Sequence, residues 1–253
     1  MRVKRSLVSA VLAAGLALSL VACNGDSKPD SASTPSATPT PTPTASSTTP
    51  TVAPTTPAAP KPRTKAELTK ALLGLSDMPS GFAVDDSGDG EDDGSGISST
   101  DSRCKEVVKL FNADTAPGSI ATAGVVFSGG ESGPFVQEDL DALPSAAAAT
   151  ALVNRAKAAI RSCKKVRLTL TGAGTSPARI SEISTPKAGT ARVGVRFAAT
   201  SGPLEGFQVT FVIAALGDVV LGMSFDDPSL IGDGVTLAAA KANRTLGTAK
   251  AGT

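Results

Sequence analysis

The 253-residue chain contains no histidine, tyrosine or tryptophan. Without histidine there is no Ser-His-Asp triad, no imidazole ligand for a metal and no imidazole acid or base. Without tyrosine or tryptophan the chain has few side chains that stack on nucleic-acid bases. Few routes remain to acid–base or nucleophilic catalysis. We therefore expect a protein that is not an enzyme and that has no cofactor and no metal site.

The chain also lacks an excess of charge of either sign. Residues 64–253 contain 18 Lys and Arg against 21 Asp and Glu. Nucleic-acid-binding domains carry a strongly basic surface, since they neutralise phosphates. This balance predicts that nucleic acid is not a partner.

The N-terminus has the organisation of a bacterial export signal. Basic residues precede an apolar stretch from about 7 to 22, which is too short for a membrane span of about 20 apolar residues. The stretch ends in "LVAC" at 20–23, which resembles the lipobox of bacterial lipoproteins. We predict a signal peptide at 1–22 and lipidation of Cys23, with acyl chains such as palmitate anchoring the protein. The alternative is an ordinary signal peptide followed by a chance cysteine.

Residues 23–63 consist mainly of Ser, Thr, Pro and Ala. Such a composition buries too little apolar surface to offset the entropy of ordering, so we predict a disordered linker. Some forty residues held extended by proline could reach on the order of 100 Å, which suits a stalk between the membrane and a domain. O-glycosylation and recognition of the proline-rich tract are alternatives for this segment.

Residues 64–253 are long enough for one domain with its own core. Apolar residues recur at helical spacing near 64–75, after Asp101, from Ser145 to Lys164 and near 234–246. Alternating patterns predict strands elsewhere, and Leu216-Gly217-Asp218 predicts a hairpin turn. The predicted strands are 120–128, the segment "GPFVQEDLDAL", 166–171, 178–184, 190–200, 206–215 and 218–226. The order predicts an α+β fold with a mostly antiparallel, curved sheet flanked by helices.

Two cysteines remain once Cys23 is assigned to lipid. Cys104 and Cys163 both lie on apolar faces of predicted helices in an exported domain, so we predict a disulfide between them. Two buried free thiols are the alternative. No Cys-x-x-Cys motif is present, so neither cysteine is predicted to be catalytic.

The order of these segments resembles the PknH-like extracellular sensor domain family of actinobacteria. The matching phrases are "LTKALLGLSDMPSGF", "SRCKEVVKLF", "FVQEDLDALPSAAAATALVNRAKAAIRSCKKV", "ARVGVRF" and "GFQVTFVIAALGDVVLGMSF". The resemblance spans about 64 to 247. It implies a curved sheet flanked by helices, with a cleft for an unidentified ligand. The present chain has no kinase domain, whereas members of the family occur outside receptor kinases as well as in free lipoproteins.

Three loops resemble functional motifs but depart from them. "DDSGDGEDDGSG" at 85–96 begins like an EF-hand loop, yet its twelfth position is Gly96 rather than a bidentate Glu, so we interpret it as a solvated loop. "GESGP" at 130–134 has Pro134 where a nucleophile elbow needs Gly. "LTGAGTSPA" at 170–178 contains only G-x-G and is interpreted as a turn.

The central strands carry the remaining candidate site. Arg192, Arg196, Gln208 and Thr210 should share one side of the sheet if their strands pair. They would then form either a solvated sheet face or the wall of a cleft for an anionic or polar ligand.

Together these features predict a lipoprotein anchored at the extracytoplasmic face of the cell membrane, with a non-catalytic, sensor-like ligand-binding domain. Its expected partners are the membrane, through the lipid anchor, and an unknown small ligand or envelope component. An envelope protein-interaction or structural module, and a lipid-carrier lipoprotein, are the alternatives. A closed apolar cavity would favour the carrier, an open cleft with convergent polar groups the sensor, and a filled sheet without a pocket the interaction module.

Overall fold

A computed structural model describes residues 61–85, 94–130 and 133–248, and its centre is one antiparallel sheet of nine described strands in the order β1-β3-β4-β9-β8-β7-β6-β5-β2. The strands are β1 (Ala83–Val84), β2 (Gly96–Ser98), β3 (Ala121–Ser128), β4 (Phe135–Ala142), β5 (Lys165–Leu170), β6 (Gly174–Ile183), β7 (Ala191–Ala199), β8 (Gln208–Leu216) and β9 (Val219–Phe225). The described helices are α1 (Lys65–Ala71), α2 (Lys105–Phe111), α3 (Ala146–Ser162) and α4 (Ile231–Leu246). The predicted α+β class is confirmed.

Helix boundaries follow the capping residues. Ser145 caps α3 as predicted, and its hydroxyl accepts a hydrogen bond from the Ala148 N–H at 3.1 Å. Thr64 caps α1 through a capping box with Glu67. The helix predicted over 64–75 is shorter, because α1 ends at Ala71 and a separate 3-10 turn follows.

Other boundaries differ from the prediction for identifiable reasons. Asp101 caps a 3-10 turn, Ser102–Cys104, which leads directly into α2. In the same way Asp227 caps the turn Pro228–Leu230, so α4 begins at Ile231 rather than near 234. The short strands β1 and β2 were not predicted, since two or three residues are too few for a recognisable period.

Helices cover each side of the sheet, and we name its sides by them. The α4 face carries the side chains that pack against α1 and α4, and the α3 face carries those that pack against α2 and α3. Because side chains alternate along a strand, one strand supplies both faces.

The core of the α4 face contains large apolar side chains from β3, β4 and β9. Phe127, Leu140 and Leu221 are completely buried there, and Leu68 of α1 packs on the same cluster. Gly234 of α4 lies so close to the ring of Phe225 that a Cβ at this glycine would stand 2.8 Å from it. The helix therefore packs tightly against the sheet.

The core of the α3 face is centred on β5 to β8. Helix α3 packs mainly on β7 and β8, and Val195 and Phe197 are buried beneath it. The predicted disulfide is present and joins Cys104, just before α2, to Cys163 at the end of α3, with 4.7 Å between their Cα atoms. It closes 59 residues and ties the two helices of this face together.

The predicted hairpin between β8 and β9 is confirmed. Its turn is Gly217-Asp218, and Gly217 has a positive φ of 60°, as such two-residue turns require. The guanidinium of Arg63 holds both carboxylate oxygens of Asp218 at 2.9 Å and donates to the Leu246 carbonyl at 2.7 Å. This contact secures the start of the described domain to the turn and to the end of α4.

Several sequence predictions lie outside the described residues. These are the signal peptide, the lipidation of Cys23, most of the linker, the greater part of the 85–96 loop and two residues of "GESGP". Among the described residues no helix is long and apolar enough to cross a membrane.

Candidate functional site

A cleft of about 310 Å³ opens on the α3 face. It lies between α3, the loop that follows α2, and strands β4, β8 and β9. Helix α3 contacts β7 and β8 more extensively than β9, so the β4 side of this face is left for the cleft. The apolar part of the lining includes Leu110, Phe111, Leu152, Ala156, Phe211 and Ile213.

The polar part of the lining comes mainly from one strand. Gln137, Asp139 and Asp141 occupy alternate positions of β4 and therefore point to the same side. The amide of Gln137 donates to Oδ2 of Asp139 at 2.9 Å. Asp141 is only 6% exposed, and its Oδ1 atom has no hydrogen-bond partner among the described residues. A buried carboxylate oxygen without a donor is costly, so Asp141 adds an acidic group that is only partly compensated beside the cleft.

Burial raises the pKa values of the two aspartates of β4 that line the cleft. Loss of solvation raises the pKa of Asp139 to about 6, the neighbouring Asp141 adds to the rise, and the hydrogen bond from Gln137 opposes it. Burial also raises the pKa of Asp141, and interactions with the Ser119 and Thr122 hydroxyls only partly offset that rise. In the described part of the chain, three aspartates and no lysine or arginine line the cleft. Its floor is therefore acidic.

Two glycines make room for the Asp139 carboxylate. Gly124 of β3 and Gly222 of β9 pair directly with Asp139 on either side. A Cβ at position 124 would collide with Oδ1 of Asp139, so glycine is required for the carboxylate to lie there. At Gly222 the nearest atom to such a Cβ is 3.9 Å away. This second glycine leaves the floor open where a side chain would otherwise stand.

Aromatic rings build the opposite wall. Phe111, Phe197 and Phe211 pack edge to face, with centroids 5.1 to 5.7 Å apart. Phe111 is the last residue of α2, which the disulfide at Cys104 joins to α3. The covalent bridge thus helps to hold the aromatic wall against the sheet.

The four residues predicted to bind a ligand lie elsewhere. Arg196 pairs with Thr210 and the strands β7 and β8 are neighbours, so Arg192, Arg196, Gln208 and Thr210 do share one side of the sheet. That side is the α4 face. It lies opposite the cleft that contains Asp139, which we call the Asp139 cleft. Thr210 is 1% exposed, and Arg192 lines a separate, open polar groove of about 770 Å³. Their role in binding remains a prediction.

Sequence reasoning identified the strand of the cleft but not its function. The pattern of "FVQEDLDAL" predicts a strand. The alternation of Gln137, Asp139 and Asp141 along it is the sequence feature that indicates a polar side. Gly124 and Gly222 stand beside Asp139, and only the strand register shows this. Of the loops considered, the segment around 171–173 is a hairpin turn between β5 and β6, as predicted. No group of described residues has the composition of a metal site.

Comparison with solved structures gives a fold that is already known. The extracellular domain of PknH from Mycobacterium tuberculosis, solved by crystallography, matches with a TM-score of 0.51 and 18% sequence identity. The match covers 74% of this chain and 98% of that one. At this identity the likeness concerns the fold alone. Comparison with curated protein sequences gives no match.

Comparison with family models is more specific. Residues 63–244 match the model of the PknH-like extracellular domain, which covers more than half of the chain. The match includes every described helix and strand, apart from the last two residues of α4. It identifies an extracytoplasmic, sensor-like domain, as the sequence predicted. The chain therefore belongs to the PknH-like extracellular domain family.

Proposed function

We propose that this protein is a membrane-anchored lipoprotein whose extracytoplasmic domain binds a small ligand in the Asp139 cleft without chemical turnover. The observation that carries the proposal is the cleft itself, which is lined by Asp139 and the nearly buried Asp141 together with aromatic and aliphatic side chains. A concave site with an apolar lining and a few convergent polar groups is typical of small-molecule binding.

The chemistry of the lining favours one class of ligand. A carboxylate floor attracts a positive charge, and the apolar wall offers contact to a hydrophobic body. We expect a ligand that joins an ammonium or similar cationic group to an aromatic or aliphatic part. A fatty acid would bring its carboxylate next to Asp139 and Asp141, so this floor disfavours the lipid-carrier alternative when that lipid is anionic.

Absence of turnover rests on the composition of the site. The cleft offers carboxylates but neither a thiol nor an imidazole, and its serine, Ser224, has no neighbouring base among the residues lining the cleft other than aspartate. The raised pKa of Asp139 would also suit proton transfer. Hydrolysis of a panel of esters, glycosides or peptides that is sensitive to Asp139→Asn would therefore contradict a purely binding role.

The anchor is the second part of the proposal. The "LVAC" sequence at 20–23 supports diacylglyceryl transfer to Cys23, and two acyl chains are enough for stable membrane attachment. We expect the wild-type chain in the membrane fraction and Cys23→Ala as an unprocessed or soluble form. A mature-sized Cys23→Ala product that still partitions into membranes would contradict lipidation.

Binding can be tested with three probes that share a phenylalkyl body and carry a positive, neutral or negative polar end. The full chain carrying Cys23→Ala is titrated with phenylbutylammonium, phenylbutanol and phenylbutyrate, and amide chemical shifts are followed by NMR. We expect the ammonium probe to bind most tightly and to shift amides of β4, β9 and the 110–117 loop. Its affinity should fall as pH decreases through about 6, since protonation of Asp139 removes one of the negative charges that line the cleft.

Two glycine variants provide a matched control. Gly222→Val fills the floor of the cleft, whereas Gly232→Val adds the same side chain on α4, where nothing lies within 4 Å of a Cβ. Only the first should abolish binding. If the neutral or anionic probe binds in the cleft instead, the site stands and the assigned charge is wrong. If no probe shifts the cleft amides at millimolar concentration, the proposed site is wrong.

A further inference from the structure

The opposite side of the sheet carries a cluster of cations that the proposed ligand site does not use. On β5, β6 and β7 the side chains of the α4 face include five basic residues, which we call the basic face: Lys165, Arg167, Arg179, Arg192 and Arg196. The first three are exposed and the two arginines of β7 are half-buried. Helices α1 and α4 contact β3, β4, β8 and β9, beside this area.

No salt bridge within the described domain neutralises the cations of the basic face. The α4-face positions of β5, β6 and β7 contain no Asp or Glu in the described strands, because Glu182 of β6 points to the other side and pairs with Arg161 and Lys157. At the rim, Asp101 is held by Arg103 at 2.7 Å.

The arrangement costs stability unless an anion is bound. Lys165 and Arg179 stand directly opposite each other in neighbouring strands, and like charges in such a pair are destabilising. The Nε atom of Arg196 is buried without a hydrogen-bond partner. Hydroxyl and amide groups lie among the cations on the same side, at Ser181, Thr169 and Gln208. Guanidinium, hydroxyl and amide donors together suit phosphate or carboxylate oxygens.

We propose that the basic face is a docking surface for a linear polyanion of the cell envelope, whose phosphate or carboxylate groups repeat along the chain. Two features favour a polymer over a membrane surface. Neighbouring strands rotate by about 20–25°, so cations spread over three strands follow a twisted path rather than a plane. The strongly exposed large apolar side chains of the described domain are Leu75, Val84, Ile120, Phe135 and Leu237, and none of them stands on β5, β6 or β7 to insert between lipids.

The proposal extends the sequence prediction for β7 and β8. The sequence predicts that Arg192, Arg196, Gln208 and Thr210 form either a solvated sheet face or the wall of a cleft for an anionic or polar ligand. The strand register adds Lys165, Arg167 and Arg179 to the same side. Thr210 is buried and contributes packing beneath the surface rather than a contact. Because the cleft and the basic face lie on opposite faces of the sheet, the two proposals can fail independently.

Binding of inorganic polyphosphate of defined length to the full chain carrying Cys23→Ala tests the proposal. The triple variant Arg167→Gln, Arg179→Gln and Arg196→Gln should bind roughly 100-fold more weakly, since each cation near an anionic surface contributes about a factor of five. The slope of log affinity against log salt should decrease by roughly two to three, as three contacts are lost.

A control triple changes net charge equally on the other side of the molecule. Lys105→Gln, Lys109→Gln and Arg155→Gln alter exposed cations of α2 and α3, and this variant should bind polyphosphate nearly as wild type does. Equal losses in both triples would show a non-specific charge effect and overturn the proposal. Tighter binding to vesicles of phosphatidylglycerol and phosphatidylcholine than to polyphosphate would overturn it in favour of a membrane. Equal affinity for orthophosphate and polyphosphate would reduce it to a single-anion site.

Discussion

The two faces of strands β3, β4 and β9 differ sharply, although alternate residues of the same three strands build them. On the α4 face these strands contribute Phe127, Leu140 and Leu221, all completely buried under α1 and α4. The alternate positions of the same three strands, in one row across the α3 face, are Gly124, Asp139 and Gly222. The α4 face of these strands is filled with large apolar side chains and covered by helices. On the α3 face the same strands carry glycine and aspartate and line the open cleft.

The difference shows how a single sheet separates stability from binding. Large apolar side chains on one side supply the burial that holds the strands, since each fully buried aliphatic or aromatic residue contributes roughly 1.5–3 kcal/mol. The other side of the same strands can then carry carboxylates and glycines that contribute little to the core. Period-two alternation makes this division possible without an extra layer of structure.

The largest expected effect on stability comes from removing the disulfide of the α3 face. Replacing Cys104 and Cys163 by alanine should lower the free energy of unfolding by roughly 4 kcal/mol, from the chain entropy of a 59-residue loop. Chemical denaturation measures this loss. Hydrogen exchange should accelerate more in α2 and α3 than in α4, because the disulfide does not join α4 to its neighbours. Exchange that accelerates most in α4 would contradict the contrast between the faces.

The second prediction concerns an exception on the filled face. Glu138 is fully buried there, its Oε2 accepts a hydrogen bond from the Leu73 N–H at 2.7 Å, and its Oε1 has no partner among the described residues. Burial raises the pKa of Glu138 to about 7 from its ordinary value of 4.5. The folded state therefore retains a proton that the unfolded state loses. The contribution of Glu138 to stability should be fully present below about pH 4.5 and should fall by about 3 kcal/mol as pH rises to about 7.

Glu138→Gln isolates this contribution. Glutamine can still accept the hydrogen bond from Leu73 and carries no charge, so the decline between about pH 6 and 7 should disappear. Asp139 also has a raised pKa, of about 6, and its effect should end near that pH. Asp139→Asn should consequently keep the decline above pH 6. Identical pH profiles for wild type and Glu138→Gln would refute the assignment.

The sequence predicts the fold better than it predicts the site. Strand periods, the Ser145 cap and the cysteine pair depend on local pattern, so the α+β class and the disulfide could be read directly. The cleft depends on the pairing of β4 with β9, in which Asp139 stands beside Gly222, roughly 80 positions later in the chain. Arg192 and Arg196 can be selected from the sequence because they are charged. Gly124 and Gly222 contribute to the cleft because they have no side chain. Only the register reveals that role.

A third prediction compares one substitution on the two faces. Gly234→Val places a side chain against Phe225, since a Cβ at this position would lie 2.8 Å from the ring. Overpacking of this kind costs about 1–3 kcal/mol. Gly222→Val adds the same side chain in the open cleft, and we expect a change within about 0.5 kcal/mol. Thermal unfolding of both variants measures the contrast. Equal destabilisation would mean that the cleft floor is packed as tightly as the helix contact.

The smallest expected effect compares a paired and an unpaired arginine. Arg161 on α3 donates to Glu182 at 2.8 Å, so Arg161→Gln should lower the melting temperature slightly, as exposed ion pairs contribute little. Arg179 of the basic face has no such partner and stands opposite Lys165, so Arg179→Gln should leave the melting temperature unchanged or raise it at low salt. Because salt screens the repulsion between Arg179 and Lys165, any such rise should fade as ionic strength increases. A clear loss of stability in Arg179→Gln would give this arginine a structural role and weaken the case that the basic face is kept for a partner.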